Sequence, residues 1–432
     1  MKNKILSFLA TGVLFSMNAN AQTGGGVNQS NIDGKLGLNT ITTALPFIGI
    51  TPDSRAGAMG DAGTALGGNP TSIYWNTSAL IFAEDKSGIS VSYTPWLRNL
   101  TNDMHLSYVS GYSKIGNRHV IGGGLRYFNL GEITYNTNNG TFIRTDKPSE
   151  FELIGSYALR LGEKVSLGVN GKFVHSNLTG GMVIEGVDSK AAIAGAADVS
   201  FTYFNDEAKI GKLRGDYTFA ATLNNIGNKV SYSNTTNRDF IPMNLKLATS
   251  YRMRFDKYNT LLVAFELQKL LVPTPAIYGT VNGEKVMISG FSSDVGIIKG
   301  MIQSFYDAPG TPIKDQAGNY IPNGDGTFQV EKGSKFKEEL TEINLALGLE
   351  YWYNNLIALR AGYFGEAKNK GNRQFLTFGA GLKYNKFGLD ISYLAAIGGR
   401  RSPLANTVRF TLYMTFGDKK IKSEEGGDAK PQ

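Results

Sequence analysis

The 432-residue chain contains no cysteine, only three histidines, and no apolar run long enough to span a membrane as a helix. The missing cysteines exclude disulfides, thiolate metal sites and a lipidated N-terminal cysteine. The histidines, His105, His119 and His175, fall on three different predicted strands and have no neighbouring metal-ligand motif. The sequence therefore predicts no metal site.

The chain also lacks a clustered basic surface. Its 44 Lys and Arg outnumber its 36 Asp and Glu, which gives a formal net charge of +8. Nucleic-acid-binding proteins concentrate their basic residues on one face or in runs, whereas here these residues are scattered between alternating segments. We expect no nucleic-acid binding, and we expect the charge to be spread over the interior and loops, near anionic outer-membrane lipid.

Motifs that would indicate catalysis are missing as well. No Gly-x-Ser-x-Gly nucleophile motif occurs, and the glycine-rich run from Gly57 to Gly63 lacks the Gly-Lys-Ser/Thr ending of a phosphate loop. Asp315 and the turn 323–325 offer oxygen atoms to Ca²⁺, but no ordered series of ligands follows them. The sequence predicts no enzyme and no cofactor. A Ser-His-Asp arrangement assembled by the fold stays open.

The N-terminus has the pattern of a secretory signal peptide. Lys2 and Lys4 precede a short apolar stretch from Ile5 to Met17, and the small residues 19–21 form a cleavage site. A membrane anchor would need a longer apolar run of roughly 20 residues. Residues 1–21 are therefore predicted to be removed, which sends the chain to the periplasm or beyond.

From residue 88 to residue 417 the sequence repeats one pattern, in which apolar residues occupy every second position of segments about ten residues long. A strand points successive side chains to opposite faces. A bilayer leaves no open sheet edge satisfied, so such a sheet must close. The sequence predicts an all-β fold, a 14-stranded antiparallel transmembrane β-barrel. The segments are 88–96, 103–114, 119–131, 149–161, 164–176, 190–204, 215–225, 242–254, 258–271, 341–353, 355–365, 373–385, 386–396 and 405–417.

The connections support the barrel over a soluble β-sandwich, whose strands average about five or six residues. Mostly short connections alternate with long ones, as periplasmic turns alternate with external loops in outer-membrane barrels. The connection 205–214 is the longest of the predicted turns. This alternation predicts that both termini lie in the periplasm, and that the polar tail 418–432 is a disordered periplasmic extension.

Inward positions of the predicted strands carry charges of both signs. They could line a polar conduit, or they could pair and pack a closed interior. The absence of a ring of one sign favours the paired arrangement. These residues are Arg126, Glu152, Arg160, Lys172, Asp198, Lys246, Arg252, Glu266, Glu350, Arg360, Lys383, Asp390 and Arg409.

An apolar, glycine-rich segment precedes the first strand and contains two helix-like pieces, within the N-terminal extension 22–87. Such a segment cannot stay solvated beside a barrel, so we predict a short N-terminal helical plug in the lumen. The plug residues predicted to matter most are Arg55, Met59, Asp61, Tyr74, Trp75 and Asn76.

The plug sequence RAGAMGDAGTAL, followed by NPTSIYWNTSAL, resembles that of the PorV/PorQ family, whose member PorV is also called LptO, within the FadL-like outer-membrane barrels. The resemblance covers essentially the whole mature chain. It implies a role in the type IX secretion system of Bacteroidota. Its implied partners are a giant SprA-like translocon barrel, cargo with C-terminal signal domains, and a PorU-like sortase in an attachment complex. A lipopolysaccharide deacylase activity linked to the family has no support in the residues.

The long connection 272–340 is the segment expected to contact partners, because loops of this length are functional or disordered. Asn282-Gly283 predicts a hairpin turn, and 323–326 a second turn. Residues 294–306 have helical apolar spacing, and an apolar helix on an external loop either folds back on the barrel as a lid or meets a partner. The predicted contact residues are Val295, Ile298, Met301, Ile302, Phe305 and Tyr306.

Three functions compete at this point. The first is a non-enzymatic cargo receptor and translocon partner. The second is a FadL-like transporter of lipophilic small molecules, which needs a continuous apolar path past the plug. The third is an outer-membrane hydrolase, which needs a nucleophile and a base at the rim. Because fold alone does not decide function, the inward charges and the missing catalytic motifs favour the first.

Overall fold

The computed structural model describes residues 39–96, 103–136, 139–178, 183–184, 187–211, 213–233, 238–397 and 407–417. The predicted signal peptide 1–21, the following residues 22–38 and the predicted tail 418–432 lie outside these ranges. Within the described ranges, none of the helices is long and apolar enough to cross a membrane.

Fourteen antiparallel strands close into one barrel, in which each strand pairs with its neighbours in the sequence and the first pairs with the last. This confirms the predicted fold class and strand count. The barrel strands are β1 (Ser87–Pro95), β2 (His105–Ile115), β3 (His119–Asn129), β6 (Ser149–Arg160), β7 (Val165–Asn177), β10 (Ala192–Ile210), β11 (Leu213–Gly227), β12 (Asn244–Arg254), β13 (Asn259–Leu270), β16 (Ile343–Tyr353), β17 (Ile357–Gly365), β18 (Gln374–Tyr384), β19 (Phe387–Ala396) and β20 (Thr407–Phe416).

The alternation of side chains along each strand sets the two faces of the wall. On β16, Leu347 and Leu349 point outward and are exposed, while Ala346 and Glu350 point inward and are buried. The outward face carries apolar side chains around the whole barrel, as a lipid-facing wall requires. The inward face carries the charges and small residues that meet the plug.

The prediction for the connection 205–214 is wrong. β10 and β11 continue through it, pairing Asn205 with Tyr217 and Lys209 with Arg214, so only a tight turn at Gly211 joins them. A register shift between Asn205 and Ala208 accommodates the polar run at the end of β10. The polar residues in this stretch do not continue the apolar alternation. The sequence pattern therefore did not reveal that both strands extend beyond the apolar band.

Three of the longer connections contain short hairpins, and the longest connection also contains two helices. The Asn282-Gly283 turn has positive φ angles of 53° and 83°, as its hairpin type requires. An Asn323 N–H donates to the Thr327 carbonyl across the second predicted turn. The elements are β4 (Ile133–Asn136), β5 (Phe142–Asp146), β8 (Val183–Ile184), β9 (Val187–Asp188), β14 (Ile277–Val281), β15 (Glu284–Ser289), α3 (Ile297–Gln303) and α4 (Ser334–Thr341).

The segment before β1 fills the lumen as a plug of short helical turns. It contains a 3-10 turn at Pro46–Gly49, α1 (Ser54–Gly57), α2 (Ser72–Trp75) and a 3-10 helix at Thr77–Phe82. The apolar side chains of these turns are buried against inward-facing wall residues. Single turns of helix are not stable alone, so the barrel wall holds this segment in place.

The barrel has two mouths, which we name by their connections. The short-turn mouth holds the turns after β2, β6, β10, β12, β16 and β18, and the long-loop mouth holds the connection 271–342. Asn39 lies at the long-loop mouth, where its side chain donates to the Pro275 carbonyl and to Glu338. Gly417, at the other end of the described chain, packs beside Lys86 at the short-turn mouth.

The described chain therefore enters at one mouth, crosses the lumen as the plug, and starts β1 at the other. The termini themselves lie outside the described residues, so their location in the periplasm stays a prediction. The sequence pattern placed the plug inside the barrel, but it carried no information on the direction in which the segment runs.

Candidate functional site

A network of ion pairs joins the plug to the wall at mid-barrel. The Arg55 guanidinium donates two hydrogen bonds to Glu350, at 2.7 and 2.8 Å. Glu350 also accepts from Arg360 at 2.7 Å, and Arg360 donates to Asp390 at 2.7 Å. All four side chains are largely or completely buried. Two cations and two carboxylates thus neutralise each other inside the lumen, as the mixed inward charges predicted.

A second network crosses β3, β6, β7 and β10. Arg126 donates to Glu152 at 2.5 Å and to two plug carbonyls, those of Ile48 and Ile50. Lys172 lies 2.7 Å from Asp198. The Arg126 guanidinium also stacks 4.9 Å from the centre of the Tyr74 ring. Because Arg126 is completely buried, its contacts with Ile48, Ile50 and Tyr74 fix the plug against this side of the wall.

The remaining predicted plug residues also hold the plug to itself or to the wall. The Trp75 indole N–H donates to Asp53 at 2.6 Å, and the Lys246 ammonium lies 4.4 Å from the Trp75 ring centre. Asn76 donates to the Thr64 carbonyl and to the Thr202 hydroxyl. Trp75, the last residue of α2, and Asn76, which follows it, therefore both hold the plug in place.

Met59 and Asp61 lie where the plug approaches β16 and β17 most closely. Met59 is buried against the backbone of Gly348, and the Gly60 nitrogen lies against Gly362. Neither wall glycine could carry a Cβ there without overlapping the plug. Asp61 has a positive φ of 62°, and its Oδ1 atom is buried without a hydrogen bond.

The lumen contains cavities on both sides of the plug. The cavity near the short-turn mouth has a volume of about 700 Å³ and is lined by Arg252, Lys383, Asp216 and other charged residues. The second cavity has a volume of about 410 Å³ and lies toward the long-loop mouth. It is lined by Trp75 and by charged side chains such as Arg409. Both signs of charge occur in each lining, so neither cavity has the surface of an apolar conduit.

No group of three or more metal-ligating side chains comes together in the described ranges. The three histidines stay apart: His105 lies on β2, His119 on β3 and His175 on β7. His119 shares a hydrogen bond of 2.8 Å with Tyr157, and no serine or carboxylate is bonded to it there.

The long loop presents the most distinctive surface of the molecule. Four large apolar side chains on or just after α3 are more than half exposed: Ile298, Ile302, Phe305 and Tyr306. The opposite face of α3 packs inward, where Gly300 meets Phe240. An exposed apolar face on a helix that is fixed from behind is a typical docking surface.

The predicted contact set divides into two groups. Val295 and Met301 are partly buried and pack against the hydrophobic cluster under the loop, together with Ile297. Helical spacing identified an apolar stripe but not which part of it faces the wall. Phe291, missed at the sequence level, is exposed and meets the Tyr306 ring edge-to-face at 5.7 Å.

Helix α4 was also missed, although it carries two large apolar side chains that are more than half exposed. Phe336 is 70% and Leu340 52% exposed. Their spacing of four residues, after Gly333 and among helix-favouring lysines and glutamates, is the signal that could have found it.

Ion pairs fasten the base of the long loop to the barrel. Lys269 at the end of β13 lies 2.6 Å from Glu342, and Lys370 lies 2.9 Å from Glu342 and 2.7 Å from Glu338. Burial raises the pKa of Glu342, but Lys269 and Lys370 outweigh burial and hold that pKa below its ordinary value. Burial raises the pKa of Asp307, in the same loop, to about 6. These ion pairs hold the base of the long loop against the barrel.

Comparisons with known proteins give similar solved structures at low sequence identity. A comparison with curated proteins finds no match. Among solved structures, the toluene transporter TbuX of Ralstonia pickettii is 12% identical, with a TM-score of 0.45, over 85% of this chain and 98% of that one. The P. putida toluene transporter TodX is 12% identical, with a TM-score of 0.45, over 88% of this chain and 100% of that one. A Pseudomonas aeruginosa FadL homologue is 12% identical, with a TM-score of 0.40, over 85% of this chain and 98% of that one. Likeness at this level carries no argument about ligands or partners.

The family comparison is decisive. The model of the family described as type IX secretion system protein PorV matches residues 34–277, which is more than half of the chain. The matched range contains the plug and the barrel strands from β1 to β13. The chain is an outer-membrane β-barrel, and it belongs to the PorV family of the type IX secretion system.

Proposed function

We propose that this barrel is a non-enzymatic component of the type IX secretion system. In this proposal it binds a giant SprA-like translocon barrel and collects cargo through the C-terminal signal domain of that cargo. It then delivers the cargo to an attachment complex that contains a PorU-like sortase. It would lie in the outer membrane of a Bacteroidota-like bacterium, with its short-turn mouth toward the periplasm.

The observation that carries the proposal is the exposed apolar face of α3. Ile298 and Ile302 are more than half exposed, while Gly300 and Gln303 on the other side of the helix are buried. The helix cannot turn its apolar side chains inward without leaving this packing. Large apolar and aromatic side chains at the centre of an interface contribute most of the binding free energy. The translocon is the partner we assign to this face.

Lipophile transport is the alternative, and the lumen argues against it. A lipophile would have to pass the buried ion pairs of Arg55 with Glu350 and of Arg126 with Glu152. Breaking a buried ion pair leaves an uncompensated charge and costs about 3–5 kcal/mol. This cost is a barrier to the passage of an apolar molecule through the lumen.

The test is affinity capture of the tagged protein from gently solubilised outer membranes, with Ile298→Asp and Ile302→Asp combined in one variant. Two such positions in a docking face are expected to cost at least about 2 kcal/mol, roughly a thirtyfold loss of captured translocon. The matched control is Tyr278→Asp with Met287→Asp, which changes two exposed residues of the β14–β15 hairpin in the same loop. Heat-modifiable mobility on gels checks that both variants are folded.

Point substitutions are preferable to deletion of residues 294–306, because the deletion would also remove the buried Gln303 and Ser304 that hold the loop together. If the α3 variant captures as much translocon as the wild-type protein, the translocon contact lies on another surface. Recovery of the barrel alone from wild-type membranes, with neither a giant barrel nor exported proteins sharing a C-terminal domain, would contradict the secretion role itself.

A further inference from the structure

Helix α4 comes directly before β16 in the chain and extends the apolar outer surface beyond the end of that strand. α4 ends at Thr341 and β16 begins at Ile343, whose side chain lies on the outward face of the strand. Leu340 and Phe336 are four residues apart and therefore lie on one face of α4, and both are exposed. The apolar surface of the wall is therefore prolonged above the barrel by two large side chains.

The neighbouring strand shows that this part of the loop sits over the outside of the wall. Lys269 has the same outward parity on β13 as Val263 and Phe265, which are exposed toward lipid. Lys269 is nevertheless buried, because Glu339 and Glu342 pair with it and the Phe305 ring lies 5.8 Å from its ammonium. The loop base thus covers the rim of the barrel on the outer face of β13.

Basic residues surround the two apolar side chains of α4. Lys335 and Lys337 flank Phe336 directly, and Lys332 precedes the helix; all three are exposed. None of them forms an ion pair with another residue in the part of the chain that the structure describes. The buried face of the same helix carries Glu338, which is held by Lys370 and by Asn39. One face of α4 is anchored to the protein, and the other is apolar and basic.

We propose that the exposed face of α4 is a lipid anchor, in which Phe336 and Leu340 enter the outer edge of the acyl-chain region and the lysines bind the phosphate groups of anionic lipids. Apolar and aromatic side chains with flanking lysines are the composition of interfacial segments. Basic residues near an anionic surface attract its phosphates over about one Debye length. The continuity of this face with the lipid-facing wall selects a lipid over a protein as its occupant.

This anchor is independent of the translocon proposal, because it uses α4 and not the exposed face of α3. It gives the long loop two outward surfaces with different occupants. Lipid would hold the loop base against the membrane, and α3 would stay free above it. The orientation of the docking face relative to the membrane would then depend on α4.

The experiment uses the cysteine-free chain, in which any introduced cysteine is unique. Phe336→Cys and Leu340→Cys are each labelled with bimane in the full-length barrel in nanodiscs, and quenching by lipids brominated near the head of the acyl chain is measured. Leu349→Cys in the lipid-facing wall is the positive control. Met287→Cys, exposed on the β14–β15 hairpin of the same loop, is the negative control.

We expect quenching at positions 336 and 340 to lie well above that at 287 and to approach that at 349. Quenching equal to that at 287 would overturn the anchor. If such unquenched labels become shielded when purified translocon is added, the face is a protein surface and the proposal is likewise wrong.

The lysines are tested in the labelled Leu340→Cys background with Lys335→Gln and Lys337→Gln. In the parent, brominated phosphatidylglycerol should quench more strongly than brominated phosphatidylcholine at low salt. Each neutralised lysine should reduce the preference about fivefold at most, and added salt should act in the same direction. A preference that survives both changes would refute phosphate recognition by these lysines.

Discussion

Replacing Glu350 by glutamine should be among the most damaging single changes in the lumen. Glu350 accepts hydrogen bonds from Arg55 at 2.7 and 2.8 Å and from Arg360 at 2.7 Å. Glutamine has nearly the same shape, but it carries no charge and only one carbonyl oxygen. The change therefore leaves two buried guanidiniums with Asp390 as the only carboxylate bonded to them in this network.

The magnitude follows from the burial of the partners. The side chains of Glu350 and Arg360 are completely buried, and that of Arg55 is 13% exposed. Removing one partner of a buried ion pair costs about 3–5 kcal/mol, because the desolvated charge left behind is not compensated. We expect the free energy of unfolding to fall by that amount. An exposed pair is worth about 0–1 kcal/mol, which sets the scale of the control.

The assay is equilibrium unfolding of the detergent-solubilised barrel in urea, followed by tryptophan fluorescence and by heat-modifiable gel mobility. Glu132→Gln is the matched control, because Glu132 and its partner Lys147 are 51% and 75% exposed. The double variant Glu350→Gln with Arg55→Gln should recover part of the loss, since one unpaired cation is removed. A loss below about 1 kcal/mol for Glu350→Gln would refute the view that this network locks the plug to the wall.

Two further predictions concern the seat and the direction of the plug. Gly362→Ala should displace the plug and raise the single-channel conductance in planar bilayers, because the added methyl overlaps the Met59 and Gly60 backbone; Gly155→Ala, where a Cβ meets no atom within 4 Å, should leave it unchanged. Epitope tags placed before Asn39 and after Gly417 should become accessible from opposite sides of the outer membrane, and accessibility of both from the same side would contradict the described course of the chain.

The barrel could be predicted from the sequence because every strand repeats a two-residue period that the bilayer enforces. Leu347 and Glu350 differ in parity, and this difference alone assigns one to lipid and the other to the lumen. The extension of β10 could not be predicted, because beyond the apolar band no lipid-facing side imposes an alternation of apolar residues. Asn205 and Lys209 therefore looked like a loop, although they pair with β11.

The candidate site was less predictable, because its residues depend on packing between distant segments. The apolar spacing of residues 294–306 indicated a helix, but only the position of Phe240 decides that Gly300 faces inward and Ile298 outward. Asn39 at the long-loop mouth depends on Glu338 and Pro275, more than 230 positions away. No local pattern encodes a contact of that range.

The course of the first segment through the lumen has a consequence for how the molecule folds. Ser54 on the plug bonds to Thr411 on β20, and β20 is also the strand that pairs with β1. The earliest and the latest parts of the described chain therefore meet twice, once in the lumen and once at the seam of the wall. Native contacts this distant in sequence slow folding. We therefore expect the seating of the plug and the pairing of β1 with β20 to depend on each other.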